Sequence, residues 1–300
     1  MTIRQLAGIA ALALALPVQA ASLDANEQRM VEWIDAHAED AIALLEETVN
    51  ISSGTMNHEG VRKVGAVMQR ELDALGLETE WIDLPPEMQR AGHLFARKLS
   101  GTSKKFVLIG HLDTVFEADD EFQAFERDGD TATGPGVEDM KGGNVVIVYA
   151  LKALQEIGAL DDIPVIVAYT GEEEKYGIPL SISRKDLVEA GQWADIGLGF
   201  ESAMTFDGHD WGTIARRSSS GWLLTVEGTQ AHSSGIFSEP VGAGAIFEAA
   251  RILNSFYEEV RGEEHLTFNV GTIQAGTDVE YDDQQNRGST FGKTNVVPRI

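Results

Sequence analysis

The stretch Phe106-Val107-Leu108-Ile109-Gly110-His111-Leu112-Asp113-Thr114 decides how this chain folds. Phe106 to Gly110 carries no polar side chain and reads as a buried strand, which runs directly into a histidine and a carboxylate. The pattern recurs downstream. Ile163-Pro164-Val165-Ile166-Val167-Ala168-Tyr169 runs into Thr170-Gly171-Glu172-Glu173-Glu174, and Ile196-Gly197-Leu198-Gly199-Phe200 runs into Glu201. Between them, Gly134-Pro135-Gly136-Val137-Glu138-Asp139-Met140-Lys141-Gly142-Gly143 opens a helical pattern that continues to Ile157. Buried strands that deliver polar groups at their C-terminal ends are how an open α/β sheet builds an active site.

Outward from these strands the chain alternates helix and strand. Apolar residues at helical spacing predict one helix over Asp24–Thr48 and another over Gly60–Leu75, stopped by Gly76. Strands are expected at Leu77–Leu84 and about His93–Leu99, and a helix near Ser183–Ala190. This order implies an α/β fold, a mostly parallel sheet with helices on both faces. The character changes after about Ala215. Strands at Trp222–Val226 and Leu266–Ile273, a helix over Val241–Val260 and the start of a strand at Thr294–Val297 predict a smaller α+β domain, with Asp278–Ser289 as a surface loop.

Arg4, the apolar stretch Leu6–Leu16 and the small-residue site at Val18-Gln19-Ala20 read as a cleavable export leader over residues 1–20. A periplasmic or secreted protein with no membrane attachment after cleavage is expected. There are 0 cysteines, so disulfides and thiolate metal sites are excluded. The net charge of -25, without any cluster of Lys and Arg, argues against nucleic acid or anionic lipid as partner.

The strand-end residues form a nitrogen-and-oxygen donor set that suits zinc or a similar divalent ion. Asp113 stands two residues after His111, so both side chains point the same way, and its carboxylate is expected to orient the imidazole. Asp139 can bridge two cations, although Asp before a helix is also a good N-cap. Gly142-Gly143 would weaken a helix start and makes sense where backbone passes close to a packed site. Glu172, Glu173 and Glu174 have only Lys175 beside them as compensation, and adjacent carboxylates at a sheet end repel each other unless a cation or protons intervene.

In this order the motifs resemble those of the M20 zinc metallopeptidases, which include glutamate carboxypeptidases, dipeptidases, N-acyl-amino-acid deacylases and desuccinylases. Gly228-Thr229-Gln230-Ala231-His232-Ser233-Ser234 resembles the family's lid histidine motif, and Thr294-Asn295-Val296-Val297-Pro298 its Asn-Val-x-Pro strand. The resemblance implies a zinc-binding catalytic domain over 21–215 and a lid and dimerisation domain over 216–300. It gives Asp139 as the bridge between two zinc ions, His111 and Glu201 as ligands of one, Glu174 as ligand of the other and Glu173 as general base. A register shift by one residue would make Glu172 the base. The family pattern also gives His232 an oxyanion role in the partner subunit's site, Asn295 a contact with the substrate carboxylate, and a cis peptide after Asp139. The family's final metal-ligand histidine would lie beyond Ile300, so the sequence is expected to be a C-terminally truncated piece that is inactive alone. The expected activity is release of a C-terminal amino acid such as glutamate from a small peptide by a homodimer. A dipeptidase or N-acyl-amino-acid deacylase is the alternative within the family, and a non-catalytic binding protein on the same fold the alternative outside it.

Overall fold

The computed structural model describes residues 23–202, 204–215, 217–282 and 287–300; the expected leader over 1–20 lies outside them. The described residues form two compact units divided between Gly212 and Thr213. Among them, no helix is long and apolar enough to cross a membrane.

The first unit begins with helices α1 (Ala25–Ala36), α2 (Ala38–Val49) and α3 (His58–Ala74). Asp24 starts α1 with a capping box, its carboxylate accepting from Asn26 and Glu27 while Glu27 accepts from the Asp24 N–H. The single helix expected over Asp24–Thr48 is broken at His37. There φ is -114°, and the imidazole stacks on Trp33 at 4.0 Å with Nδ1 2.7 Å from the Trp33 carbonyl. Periodicity survives across such a break, so the spacing of apolar residues could not reveal it. Gly76 stops the next helix as expected, in the left-handed region at φ 79°.

The sheet strands are β1 (Glu78–Ile82), β2 (His93–Lys98) and β3 (Phe106–His111). A short hairpin, β4 (Glu126–Asp128) with β5 (Thr131–Thr133), precedes α4 (Gly143–Glu156). Then come β6 (Val165–Thr170), α5 (Leu180–Ser183), α6 (Lys185–Trp193) and β7 (Ile196–Gly199). A further hairpin, β8 (Met204–Phe206) with β9 (His209–Trp211), ends the unit.

The 5-stranded sheet has the order β1-β2-β6-β3-β7. β2 pairs antiparallel with both neighbours, while β3 pairs parallel with β6 and β7, so β2 alone runs against the rest. Side chains alternate between the faces. Leu94, Ala96, Leu108, Val165, Val167 and Tyr169 join α2, α3 and α4 in the main core, whereas Phe95, Val107, Ile166 and Ala168 pack with Ala190 of α6. From β3 the chain crosses through α4 to β6, then returns through α6 to β7 on the other side of β3. That reversal is a topological switch point, and the strand ends around it are where such sheets bind ligands.

In the second unit α7 (Gly244–Ser255) falls inside the helix expected over Val241–Val260, and a one-turn π-type extension covers Phe256–Val260. Four expectations are corrected. Across the stretch expected as a surface loop, β10 (Asp278–Asp282) and β11 (Arg287–Phe291) pair antiparallel. Trp222–Val226 and Leu266–Ile273 form no strand, and Thr294–Val297 contributes only the bridge of Val296 to His232. An alternating pattern specifies a face suited to burial, but a strand exists only where a neighbour completes its ladder.

Candidate metal centre

The register of the sheet gathers the expected ligands. His111 pairs with Thr170 across the β3–β6 ladder, which places the Glu172–Glu174 turn beside it. Ile109 pairs with Gly199 on the other side, and the Phe200 N–H continues to the Ile109 carbonyl at 3.3 Å, carrying Glu201 to the same edge. Asp139 arrives from the turn before α4. His111, Asp139 and Glu201 each offer a ligand atom, all within 4.8 Å of one another. His111 Nε2 is 2.9 Å from Asp139 Oδ1 and 3.5 Å from Glu201 Oε1. Two ligands about 2.1 Å from one tetrahedral zinc lie roughly 3.4 Å apart, so this donor set fits the ion. Glu174 is not among these three, but it faces the same charge.

The turn carrying Asp139 explains its glycines. Gly136 adopts φ 80°, and the Asp139–Met140 peptide is cis. A Cβ on Gly143 would lie 1.9 Å from the Phe200 carbonyl oxygen, so the start of α4 rests against the strand end that leads to Glu201. Asp139 does not cap that helix; the N-cap is Gly142, without a side-chain bond, and the carboxylate is left for the site. Lys141, fully buried, instead donates from Nζ to the carbonyls of Thr48 and Ile51 at 3.0 Å each. Burial pushes its pKa down to about 7.

Asp113 departs from its expected role. The ring Nδ1 of His111 bonds the backbone carbonyl of Asp113 at 2.9 Å, while the carboxylate stands 3.5 Å away. That carboxylate accepts from the N–H groups of Glu173 at 3.0 Å and Glu174 at 3.1 Å, and from the Thr55 hydroxyl at 2.7 Å. His111 therefore has Nε2 directed at Asp139 and Glu201, the arrangement of a metal-binding imidazole.

The glutamates separate by burial. Glu172 is buried and its carboxylate is bound by Arg184 and the Gly177 N–H. Sequence reading missed Arg184, which lies 12 positions away and is brought in by the fold. His93, which matched no motif, is structural. It accepts from the Gly171 N–H at Nδ1 and so donates from Nε2 to the Ser183 carbonyl at 2.9 Å. Asn144 and Tyr169 were also missed: Asn144 Nδ2 donates to the His111 carbonyl at 2.6 Å, and the Tyr169 hydroxyl to the Asn144 carbonyl at 3.1 Å. Glu173 is exposed and Glu174 half-buried.

Crowded charge shows in the proton affinities. Burial, then Asp139, pushes Glu174 up to about 7. Burial and the neighbouring Glu201 raise Asp139. Burial opposes a charge on His111, but the carboxylates of Asp113 and Glu201 outweigh it and hold the ring at about 11. Excess negative charge around one imidazole is what a divalent cation relieves.

In the second unit His232 and Asn295 lie side by side, with the Ser233 N–H on the Asn295 carbonyl at 2.9 Å and the Val297 N–H on that of Ala231 at 2.8 Å. His232 Nδ1 faces the Ser234 N–H at 3.2 Å and the Ser234 hydroxyl at 2.9 Å, which leaves Nε2 outside these contacts.

A profile of peptidase family M20/M25/M40 matches residues 107–295. Carboxypeptidase G2 of Pseudomonas sp. (strain RS-16) is 29% identical over 242 residues, which are 78% of this chain and 55% of that protein. A succinyl-diaminopimelate desuccinylase of Gluconobacter oxydans (strain 621H) is 30% identical over 201 residues, 64% of this chain and 50% of that protein. The chain thus spans about half the length of these curated relatives. A tripeptidase from Staphylococcus aureus subsp. aureus mu50 shares the fold at a TM-score of 0.53 and 18% identity, over 91% of this chain and 63% of that one.

Proposed function

This chain belongs to peptidase family M20/M25/M40, and on that premise we propose that the protein hydrolyses a peptide or amide bond with two zinc ions, releasing a C-terminal amino acid such as glutamate. The observation that carries the reading is the meeting of His111, Asp139 and Glu201 at neighbouring strand ends. Zinc held by His111, Asp139, Glu201 and Glu174 would polarise the scissile carbonyl and lower the pKa of the attacking water.

The chain's own residues supply the rest. Glu173, exposed at the strand end, takes the proton from the attacking water and passes it to the leaving amine. Asp113 orients His111 through its carbonyl and the glutamate turn through its carboxylate. His232 offers Nε2–H to the oxyanion formed in the site of a second copy of the chain, and Asn295 binds the substrate carboxylate. Residues 21–215 are the catalytic domain in this reading and 216–300 the lid through which a homodimer forms. Residues 1–20 direct the protein to the periplasm or the exterior.

Similarity to the desuccinylase favours a second reading, cleavage of an N-acyl group from an amino acid. A direct test on the intact protein combines metal analysis with hydrolysis of peptides ending in glutamate and of N-succinyl amino acids. About two zinc per chain and turnover of the glutamate peptides support the proposal. Turnover of the N-succinyl substrates alone favours the second reading, and a protein that retains no metal and hydrolyses neither class is a binding protein.

A further inference from the structure

Asp113, whose carboxylate accepts the N–H groups of Glu173 and Glu174, is itself held by a residue that lies in neither the sheet nor a helix. Thr55 is buried in the loop before α3, and its hydroxyl donates to Asp113 Oδ2 at 2.7 Å. The same carboxylate accepts the N–H groups of Glu173 and Glu174. The Thr55 loop is itself clamped. Gly54 pairs with Thr114 in a parallel bridge, the Thr55 N–H donates to the Thr114 carbonyl at 3.2 Å, and the Thr114 N–H to the Ser53 carbonyl at 2.9 Å. From its far side, Glu117 accepts the Met56 N–H at 3.2 Å. A Cβ on Gly54 would lie 2.5 Å from Glu117 Cα, so the loop has no room to slide.

We propose that Thr55 is a positioning residue for the pair Glu173 and Glu174, acting through the buried carboxylate of Asp113. This rests on the reading of Glu173 as base and Glu174 as metal ligand. Asp113 sits between two demands, the glutamate turn on one side and His111 Nδ1, 3.5 Å from Oδ1, on the other. The Thr55 hydroxyl fixes Oδ2 so that both glutamate N–H groups are served. Without it the carboxylate is free to rotate toward the imidazole, and the glutamate turn shifts away from the metal. Loss of outer support for metal ligands typically costs about 10–100-fold in affinity or activity.

The test uses the full protein as wild type, Thr55→Val and Thr55→Ser, each loaded with Co2+ alone after chelation. Valine keeps the shape and removes the donor; serine keeps the donor. The expected result is an altered visible Co2+ spectrum and a kcat lower by about 10–100-fold at nearly constant KM in the valine variant, with serine restoring both. Amide exchange at Glu173 and Glu174 in the metal-free protein should quicken in the valine variant and return with serine. Wild-type spectrum, kcat and exchange in the valine variant overturn the proposal, as does a serine variant as impaired as valine. A wild type that hydrolyses nothing refutes the functional reading, and the spectrum and exchange then still decide the role of Thr55.

Discussion

The backbone of Gly143 rests on the carbonyl of Phe200 so closely that a β-carbon there would stand 1.9 Å from the oxygen. Asp139 lies four residues before the first of these and Glu201 directly after the second, so this contact sets the separation of two of the proposed metal ligands. Gly143→Ala must push the two segments apart, and divalent-metal affinity is expected to fall about 10–100-fold. Calorimetric titration with Zn2+ measures it. Gly191→Ala, in α6 with open space around it, is the control. It should leave the affinity unchanged and stabilise the helix by up to about 1 kcal/mol.

What the sequence made legible follows the range of its signals. The strands ending at His111, Thr170 and Gly199 announced themselves because apolar runs are local, and the sheet register then placed their successors together. His111 and Glu201 were legible as ligand candidates for the same reason, each standing at or just past the end of its strand, and Asp139 from the Gly-rich turn before α4. The supports were not. Thr55 meets Asp113 across 58 positions and Lys141 reaches the Thr48 carbonyl across 93, and neither contact leaves a pattern along the chain. Asp113 shows the boundary well. Its spacing from His111 correctly put them together, but spacing could not tell that the carbonyl would take the imidazole and the carboxylate the glutamate turn.

The contribution of the ligand cluster to the stability of the metal-free protein should decline as pH rises, while Lys141, lowered from 10.5 to about 7, and His93, also lowered, work in the opposite sense. Folding raises Glu174 from 4.5 to about 7 and His111 from 6.5 to about 11, and raises Asp139 as well. Each group then binds its proton more tightly folded than unfolded, and stability falls with pH wherever the native state holds more protons. The Glu174 contribution is lost between pH 4.5 and about 7, and that of His111 between 6.5 and about 11. A divalent cation has to displace these protons, so its affinity and its stabilising effect grow over the same range. Thermal melts of chelated protein at about pH 5 and about pH 9, with and without Zn2+, check both signs. In Glu174→Gln the melting temperature should fall less, or rise more, between the two pH values than in the wild type, and an unchanged difference would contradict this account.

Arg184 and Glu172 form a pair in which the carboxylate is wholly buried. Removing the cation leaves that charge without its partner, and breaking a buried pair this way costs about 3–5 kcal/mol. Arg184→Met should lose that much in urea unfolding. The double variant Arg184→Met with Glu172→Gln should recover most of it, because the stranded charge is gone. Equal losses in the single and double variants would show that the pair does not govern stability here.

Three adjacent glutamates are therefore expected to fail in three different ways. Glu172→Gln weakens the grip of Arg184 and the Gly177 N–H on the turn, so its first symptom is lowered stability. Glu174, whose proton affinity is raised by burial and by Asp139, shares the field of the ligand cluster. Glu174→Gln removes a charge that the second ion needs, and bound metal should fall from about two toward one per chain. Glu173 is exposed, and only its backbone N–H is tied to Asp113. Glu173→Gln keeps that bond and the shape of the side chain but cannot accept a proton. Metal content and KM should stay near wild type while kcat drops about 10²–10⁴-fold, the usual contribution of a general base. Metal analysis, melting curves and steady-state kinetics on the three variants separate these outcomes. Loss of metal in Glu173→Gln with retention in Glu174→Gln would exchange the two roles, since both residues stand on the same turn with their N–H groups on Asp113.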